Sequence, residues 1–291
     1  MLPLALMHKI RYSSDIVLDV PERPGMVTVS GSAASLFSKF ERVLLKISRP
    51  FVAQTLVVTY ADVDYMKSLG FESVRLVRNV PMSDWKAPYL PPPIAVQGDG
   101  DRKLGLIAMG SVFEGRAYEK LIKAVAIASA QIEIELTVCG PGRPGYLTDL
   151  RSLADDLRIG DRVNFIEPVS IENVSAMYLS ADIGMVLYES ADPGNDGLSN
   201  KIFECVASGR PVIASDLPEN HRFVEENGAG WLAGDSVEDL ARVIVSAAEP
   251  DSVQSKASHC RRIGDEFLKW ETEFPLQFFC EREAPARASG A

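Results

Sequence analysis

A polar loop followed directly by a helix start has the features of an anion-binding site. Apolar residues repeat four positions apart between Ile202 and Ala207, and Gly209 ends this helical pattern. A helix that begins near Asn200 presents unpaired backbone N–H groups and the positive end of its dipole, which together favour a diphosphate. The residues expected to supply these amides are Gly197, Leu198, Ser199 and Asn200.

Glu204 stands one helical turn after Asn200. Helical side chains lean toward the N-terminus of their helix, so this carboxylate is expected to point back toward the loop. A carboxylate would repel a phosphate but would accept hydrogen bonds from the hydroxyl groups of a ribose attached to it. The alternative interpretation of Glu204 is an ordinary carboxylate on the helix surface.

Arg116 closes a second polar loop, which begins with Gly110 and Ser111 after a buried strand and precedes a helix. Such loops lie at the carboxyl edge of a parallel sheet, where these folds bind ligands. A guanidinium there would hold a diphosphate through two hydrogen bonds and stabilise charge on a leaving phosphate. Gly110 and Ser111 are expected to bind the nucleotide, and the alternative for Arg116 is a solvated surface residue.

Lys201 occupies the first turn of the same helix, where a cation is mildly unfavourable because it opposes the helix dipole. This placement favours a functional role as a second phosphate contact. The alternative is an exposed lysine that pairs with Glu204 or Glu219.

Composition limits the class of protein. The chain has 291 residues with a net charge of −10, which argues against nonspecific binding to nucleic acid. No apolar run is long enough to span a bilayer, and we find no export signal. The four cysteines lack metal-ligand spacing and indicate reduced thiols in the cytoplasm. The three histidines are scattered, so no metal site is predicted.

The order of apolar segments predicts an α/β protein. Residues 102 to 250 alternate strand-like runs with helix-like stripes, as in a doubly wound parallel sheet. The first ninety residues offer about three such units, where a full half would need about six. A proline-rich linker separates the two parts. The predicted regions are a partial N-terminal Rossmann-like domain (1–94), a complete C-terminal nucleotide-binding domain (95–250) and a helical tail with a disordered end (251–291).

The predicted strands and helices can be compared directly with a structure. The strands are Leu104–Met109, Ile134–Cys139, Val163–Ile166, Ile183–Leu187, Pro211–Ala214 and Gly230–Leu232 in the second part, and Ile16–Val20, Leu56–Thr59 and Val74–Val77 in the first. The helices include Ser35–Lys46, Tyr118–Ala130, Leu147–Leu157 and Val237–Ala248.

The segment from Asp196 to Asp216 resembles a motif of the family 4 (group 1) retaining glycosyltransferases, which have the GT-B fold of two Rossmann-like domains. Their pair of acidic residues, separated by seven positions, matches Asp196 and Glu204, and Ser199-Asn-Lys-Ile-Phe-Glu204 is close to a variant found in polysaccharide-synthesising members. Ala207-Ser-Gly-Arg-Pro-Val-Ile-Ala-Ser-Asp216 matches the run that follows. Set against this family, the first half of the N-terminal domain is missing from the chain, and truncation is the preferred interpretation.

The resemblance implies a hexosyltransferase-type enzyme that transfers sugar from a UDP- or GDP-type donor, without a metal or other cofactor, to a carbohydrate or lipid-linked acceptor. Arg116, Lys201 and Asp196 are the expected catalytic residues, with Asp196 near the sugar. The family's matching loop also implies that the backbone at Val169 pairs with the nucleobase, although a simple strand-ending turn fits equally well. The resemblance further allows peripheral contact with the inner membrane face.

Two other interpretations stay open. The chain is either an active transferase or a donor-binding fragment that cannot position an acceptor. A sugar-nucleotide epimerase on the same fold would need acid and base residues in the cleft, and none is found. The sequence does not indicate which sugar, base or acceptor is used, or the oligomeric state.

Overall fold

A computed structural model describes residues 2–12, 14–21, 32–88, 90–93, 103–189 and 198–274. Within these residues the chain forms two parallel β-sheets with helices between the strands, which confirms the predicted α/β class. The C-terminal sheet has six strands in the order β6-β5-β4-β7-β8-β9. Its strands are β4 Leu104–Met109, β5 Ile134–Cys139, β6 Val163–Ile166, β7 Ile183–Val186, β8 Val212–Ser215 and β9 Gly230–Ala233.

Each strand of this sheet is followed by a helix, because parallel neighbours require a crossover connection. The strands are short apolar runs that helices cover on both faces, so most of their side chains are buried. The helices are α4 Tyr118–Ala128, α5 Pro144–Asp156, α6 Ile171–Leu179, α7 Asn200–Ala207, α8 Pro218–Glu226, α9 Val237–Ala247, α10 Pro250–Glu266 and α11 Trp270–Glu273.

The N-terminal sheet has three parallel strands in the order β1-β2-β3 within the described residues. These strands are β1 Ile16–Val20, β2 Val52–Val57 and β3 Val74–Leu76, and the helices are α1 Leu2–Tyr12, α2 Ser32–Ser48 and α3 Tyr60–Ser68. The sequence interpretation missed α1 and α3, and it extended β2 too far. Strand β2 ends before Thr59 because the Thr59 hydroxyl accepts a hydrogen bond from the Asp62 amide at 3.1 Å and caps α3.

Two apolar cores lie on the two faces of the C-terminal sheet. One contains α4, α5 and α9, with Leu121, Leu150 and Ile244 among its buried side chains. The other contains α7, α8 and α10, with Phe203 and Phe223 in edge-to-face contact at 5.1 Å between ring centroids. Helix α7 is therefore fixed against the sheet, and only its polar side chains reach the cleft.

The segment that joins the two sheets is fastened to the C-terminal half. Arg210 is fully buried and donates hydrogen bonds to the carbonyl oxygens of Leu90 at 2.8 Å and Ala181 at 2.7 Å. Such buried donors need acceptors, so this arrangement fixes the segment's position. The boundaries of the three predicted regions stay a prediction, and residues 275–291 lie outside the described part of the chain. No helix in the described part has the length and apolar character needed to cross a bilayer.

Candidate functional site

The order of the C-terminal sheet reverses between β4 and β7, which are neighbours although three helices separate them in the sequence. Ligands of open α/β sheets bind beside the carboxyl ends of the strands at such a point. Strand β4 leads here into Gly110, and β7 leads into Tyr188, which is buried. The strand order therefore identifies this edge as the place to look for a binding site.

Helix α7 begins and ends where the sequence predicts. Ser199 has extended backbone angles, and its hydroxyl accepts a hydrogen bond from the Lys201 amide at 3.3 Å. Gly209 follows the last turn with φ +79°, a conformation that suits glycine and ends the helix. Asn200, Lys201 and Glu204 are left outside the apolar core, while the other side chains of α7 are buried.

Lys201 and Gly110 lie in direct contact. Gly110 has φ +115°, and a Cβ atom built on it would collide with Cε of Lys201. Only glycine combines this backbone conformation with so close an approach. The pairing of Lys201 with Glu219 is wrong, because the Glu219 carboxylate instead accepts hydrogen bonds from the Tyr60 and Ala61 amides at 3.2 and 2.9 Å.

Arg116 points to the same place and is half-buried, so part of its side chain is shielded from solvent. Its guanidinium carbon lies 4.5 Å from the centroid of the Tyr188 ring and 5.0 Å from that of Phe113, as in cation–π contacts. Arg116, Lys201 and Ser111 line one small cavity together with Tyr188. We call it the cationic cavity.

The two cations affect each other. Burial, followed by the charge of Arg116, lowers the pKa of Lys201, whereas Glu204 raises that pKa. Two positive charges near each other in a partly buried site repel, and a bound anion would relieve this repulsion. The cationic cavity therefore has the charge that a phosphate group needs.

Glu204 faces a different and larger cavity, which lies between α7 and the segment after β3. This cavity has a volume of about 570 Å³, and Asn200 and Ile171 also line it. Burial raises the pKa of the Glu204 carboxyl group, while the charge of Lys201 lowers it. We call this larger cavity the Glu204 cavity. It falls within the size range of small-molecule sites, about 300–1,000 Å³.

The remaining predicted site residues are distributed unevenly. Leu198 is half-buried and lines a small cleft toward the N-terminal half, together with Arg78 and Glu219. Val169 is half-buried and packs against the core beneath α7, and it is not among the described residues that line either cavity. Asp196 and Gly197 lie outside the described residues.

Tyr188 is a site residue that the sequence analysis did not include among the expected site residues. Its backbone amide donates to the Ser215 hydroxyl at 2.9 Å, and that hydroxyl donates to the Tyr188 carbonyl at 3.1 Å. These bonds fix the end of β7 against β8. An aromatic residue at the end of a buried strand was the available signal.

The part of the chain that forms this site is similar to known proteins. Residues 103–249 match the protein-family model described as glycosyl transferases group 1. The O-antigen chain mannosyltransferase RfbU of Salmonella typhimurium is 27% identical over 164 residues, which cover 56% of this chain and 44% of the relative. The α-monoglucosyldiacylglycerol synthase of Streptococcus pneumoniae is 33% identical over 142 residues, covering 46% of this chain and 30% of that protein.

A third relative matches over most of the chain. Phosphatidyl-myo-inositol mannosyltransferase of Mycolicibacterium smegmatis is 23% identical over 270 residues, which cover 89% of this chain and 64% of that protein. The chain thus spans between 30% and 64% of the length of these three relatives.

Solved structures share the fold. Sucrose-phosphate synthase from Thermosynechococcus elongatus superimposes with a TM-score of 0.68 at 16% identity, covering 94% of this chain and 68% of that one. Anabaena HepE, solved in complex with UDP and glucose, also gives a TM-score of 0.68 at 16% identity, covering 94% and 72% of the two chains. At this identity the likeness establishes the architecture alone.

Proposed function

This chain belongs to the group 1 glycosyltransferases, and we propose that it transfers a hexose from a nucleoside diphosphate sugar to an acceptor with retention of configuration. The observation that carries the proposal is the convergence of Lys201 and Arg116 in one cavity beside Glu204. Cations hold the diphosphate, and the carboxylate one turn farther along α7 accepts hydrogen bonds from the ribose hydroxyls. The cations and the carboxylate thus follow each other along the site in the same order as the diphosphate and the ribose follow each other along the donor.

The diphosphate lies at the N-terminus of α7 in this proposal. Its oxygens accept hydrogen bonds from Arg116, from Lys201 and from backbone amides in the range 197–200, and the dipole of the eight-residue helix adds to the attraction. Asp196 is assigned to the sugar on the strength of the family motif. Val169, two residues before Ile171 of the Glu204 cavity, is assigned to the edge of the nucleobase through its backbone.

Catalysis then follows from stabilisation of the leaving group. As the bond between the sugar and the diphosphate breaks, negative charge grows on the leaving oxygen, and two fixed cations stabilise that charge more strongly than they stabilise the donor. The leaving oxygen takes the proton of the acceptor hydroxyl, and the acceptor oxygen forms a bond to the anomeric carbon on the face of the sugar that the diphosphate leaves. Configuration is thereby retained without a protein nucleophile, and Arg116 and Lys201 carry out the charge stabilisation that a metal performs elsewhere.

The donor class is supported by the fold relative that was solved with UDP and glucose. The names of the sequence relatives include two mannosyltransferases, and they refer to an O-antigen chain, a diacylglycerol lipid and a phosphatidyl lipid. We therefore propose a UDP- or GDP-type donor and a carbohydrate or lipid-linked acceptor. A cytoplasmic protein at the inner face of a membrane would meet such an acceptor.

Replacement of Glu204 by Gln tests the proposal. The substitution keeps the size of the side chain and removes the charged acceptor, so donor affinity is expected to fall roughly ten- to hundredfold, as for loss of a charged hydrogen bond. Calorimetric titration with UDP-glucose and GDP-mannose measures the change. Glu225→Gln, an exposed change on α8, is the matched control and is expected to bind normally. Unchanged affinity in Glu204→Gln would remove the central residue from the site.

Donor binding without transfer is the second candidate. The N-terminal sheet has three strands in the described residues, against six in the C-terminal sheet, so the half that would hold an acceptor is the smaller one. Donor hydrolysis and transfer to simple acceptors, measured on the same protein that binds the donor, separate the two functions. Binding with neither reaction would favour the second.

A further inference from the structure

The Glu204 cavity has a second wall that does not come from the nucleotide-binding half of the fold. This wall is formed by the segment after β3, which contributes the apolar residues Val80, Pro81, Met82, Trp85 and Ala87 and the polar residues Asn79, Asp84 and Lys86. Five of these eight residues are apolar, and Asn200 and Glu204 supply polar groups from α7 on the opposite wall. A cavity with one apolar aromatic wall and one polar wall suits a flat heteroaromatic ring joined to a sugar.

We infer that the nucleobase of the donor stacks on Trp85, so that the segment after β3 completes the nucleoside pocket. The inference rests on the proposed function, because it takes the diphosphate to lie at the mouth of the small cationic cavity, against Lys201 and Arg116, and the ribose at Glu204. With the phosphates on the Lys201 side of α7, the base is the part of the donor that extends beyond Glu204. The wall in that direction contains Trp85.

The Trp85 wall is held in place by bonds on both sides of the indole. Before it, the Trp270 amide donates to the Pro81 carbonyl at 3.0 Å, and the Ser83 hydroxyl donates to Glu271 at 2.9 Å. After it, Lys86 donates to the Gly264 carbonyl, and the Ala87 amide donates to the Ser175 hydroxyl at 3.1 Å. The partner groups in these four bonds all belong to α6, α10 or α11.

These bonds make the wall part of the C-terminal half in three dimensions, although it precedes that half in the sequence. Trp85 is half-buried and packs on the same core as α7, so its position relative to Glu204 is fixed before any ligand arrives. A preformed stacking surface binds with little ordering cost. The position of Trp85 therefore fits a permanent wall of the pocket.

Intrinsic fluorescence tests this assignment because the chain has three tryptophans, Trp85, Trp231 and Trp270. In the double variant Trp231→Phe/Trp270→Phe, the emission comes from Trp85. We expect UDP or GDP to quench this emission and inorganic pyrophosphate, which lacks a nucleoside, to leave it unchanged. A free hexose that quenches when the nucleotides do not would overturn the inference and place a sugar on the wall.

Affinity provides the second measurement. Trp85→Leu removes the stacking surface, and nucleotide affinity is expected to fall roughly five- to hundredfold, the range for loss of one base–aromatic stack. Pyrophosphate affinity is expected to stay at the wild-type value, and Trp85→Phe is expected to recover most of the nucleotide affinity. Equal thermal melting of the two variants shows that folding is intact.

The outcomes separate this inference from the proposed function. If nucleotides and pyrophosphate bind, but Trp85→Leu binds UDP and GDP as tightly as the wild type, the proposed function stands and the stacking inference is wrong. If neither nucleotides nor pyrophosphate bind to the wild-type protein, both are wrong.

Discussion

Helix α7 presents two unlike surfaces to the cleft. Lys201 joins Arg116 in the small cationic cavity, whereas Glu204, three residues farther along α7, lines the cavity of about 570 Å³. The first cavity is formed by chain segments that follow β4 and β7, whereas the second is shared between α7 and the segment after β3. The comparison shows how one short helix places a cation and a carboxylate one turn apart, in two different cavities, where the diphosphate and the ribose of a nucleoside diphosphate would meet them.

The charges on the two sides also respond differently to burial. Burial lowers the pKa of Lys201 and raises the pKa of Glu204, because both ions lose solvation in a partly buried site. Each ion in turn favours the charged form of the other. The unliganded site thus holds an excess of positive charge at the cationic cavity. Variants that alter one cavity alone test whether the two cavities act separately.

The largest effect is expected from Gly110→Ala. The new methyl group would occupy the position of Lys201 Cε and would displace this cation from the cationic cavity. Pyrophosphate affinity is expected to fall roughly ten- to hundredfold, as for loss of a charge-assisted hydrogen bond. Calorimetry with pyrophosphate measures the effect without a contribution from the Glu204 cavity.

Gly115→Ala is the matched control for that variant. Gly115 also has a positive φ, +89°, but a Cβ atom there would meet nothing within 4 Å. The control therefore carries the backbone strain without the collision. This strain costs about 1–3 kcal/mol of stability in either variant. Equal affinity losses in the two variants would show that strain, and not the displacement of Lys201, is responsible.

A smaller effect is expected from Tyr188→Leu. The leucine fills similar space but removes the ring that lies 4.5 Å from the Arg116 guanidinium carbon. Cation–π contacts contribute about 0.5–2 kcal/mol, so pyrophosphate affinity is expected to fall roughly two- to thirtyfold. Tyr188→Phe keeps the ring and should bind as the wild type does. If both variants bind alike, the ring does not position Arg116.

The contacts in the cationic cavity show what sequence reasoning could and could not reach. Helix α7 was predicted with correct ends because Ser199 and Gly209 act locally, within a few residues of the helix. The strands of the C-terminal sheet were predicted because each is a short segment rich in apolar residues, continuous in β4 and β7 and alternating with polar residues in β5. The contact between Arg116 and Tyr188 depends on β4 and β7 being neighbours. The local pattern of apolar residues does not determine the order of the strands in the sheet.

Helix α3 illustrates the same limit in the N-terminal half. Among its nine residues only Asp62 and Met66 are buried, so it has no apolar stripe that a periodic pattern would detect. Its N-terminus is capped by Thr59 and also receives the carboxylate of Glu219 from α8, 158 residues away from Ala61. Long-range contacts of this kind require the folded structure.

The smallest expected effect concerns stability and belongs to the Glu204 side of α7. Burial holds the pKa of Glu204 above its value in the unfolded chain, so the folded state binds this proton more tightly. The stabilising contribution is complete below the unfolded pKa, about 4.3, and is lost as the pH rises through the folded value. Glu204→Gln cannot titrate and lacks this dependence.

The free energy of unfolding, measured with urea at several pH values from about 4 to 7, should therefore fall in the wild type relative to Glu204→Gln as the pH rises. Glu225→Gln, on an exposed surface, should show no such difference from the wild type. A constant difference between wild type and Glu204→Gln across this range would mean that the carboxylate is solvated in the folded protein. Glu204 would then lack the partly buried environment that distinguishes its side of α7, and the contrast between the two cavities would reduce to the two cations alone.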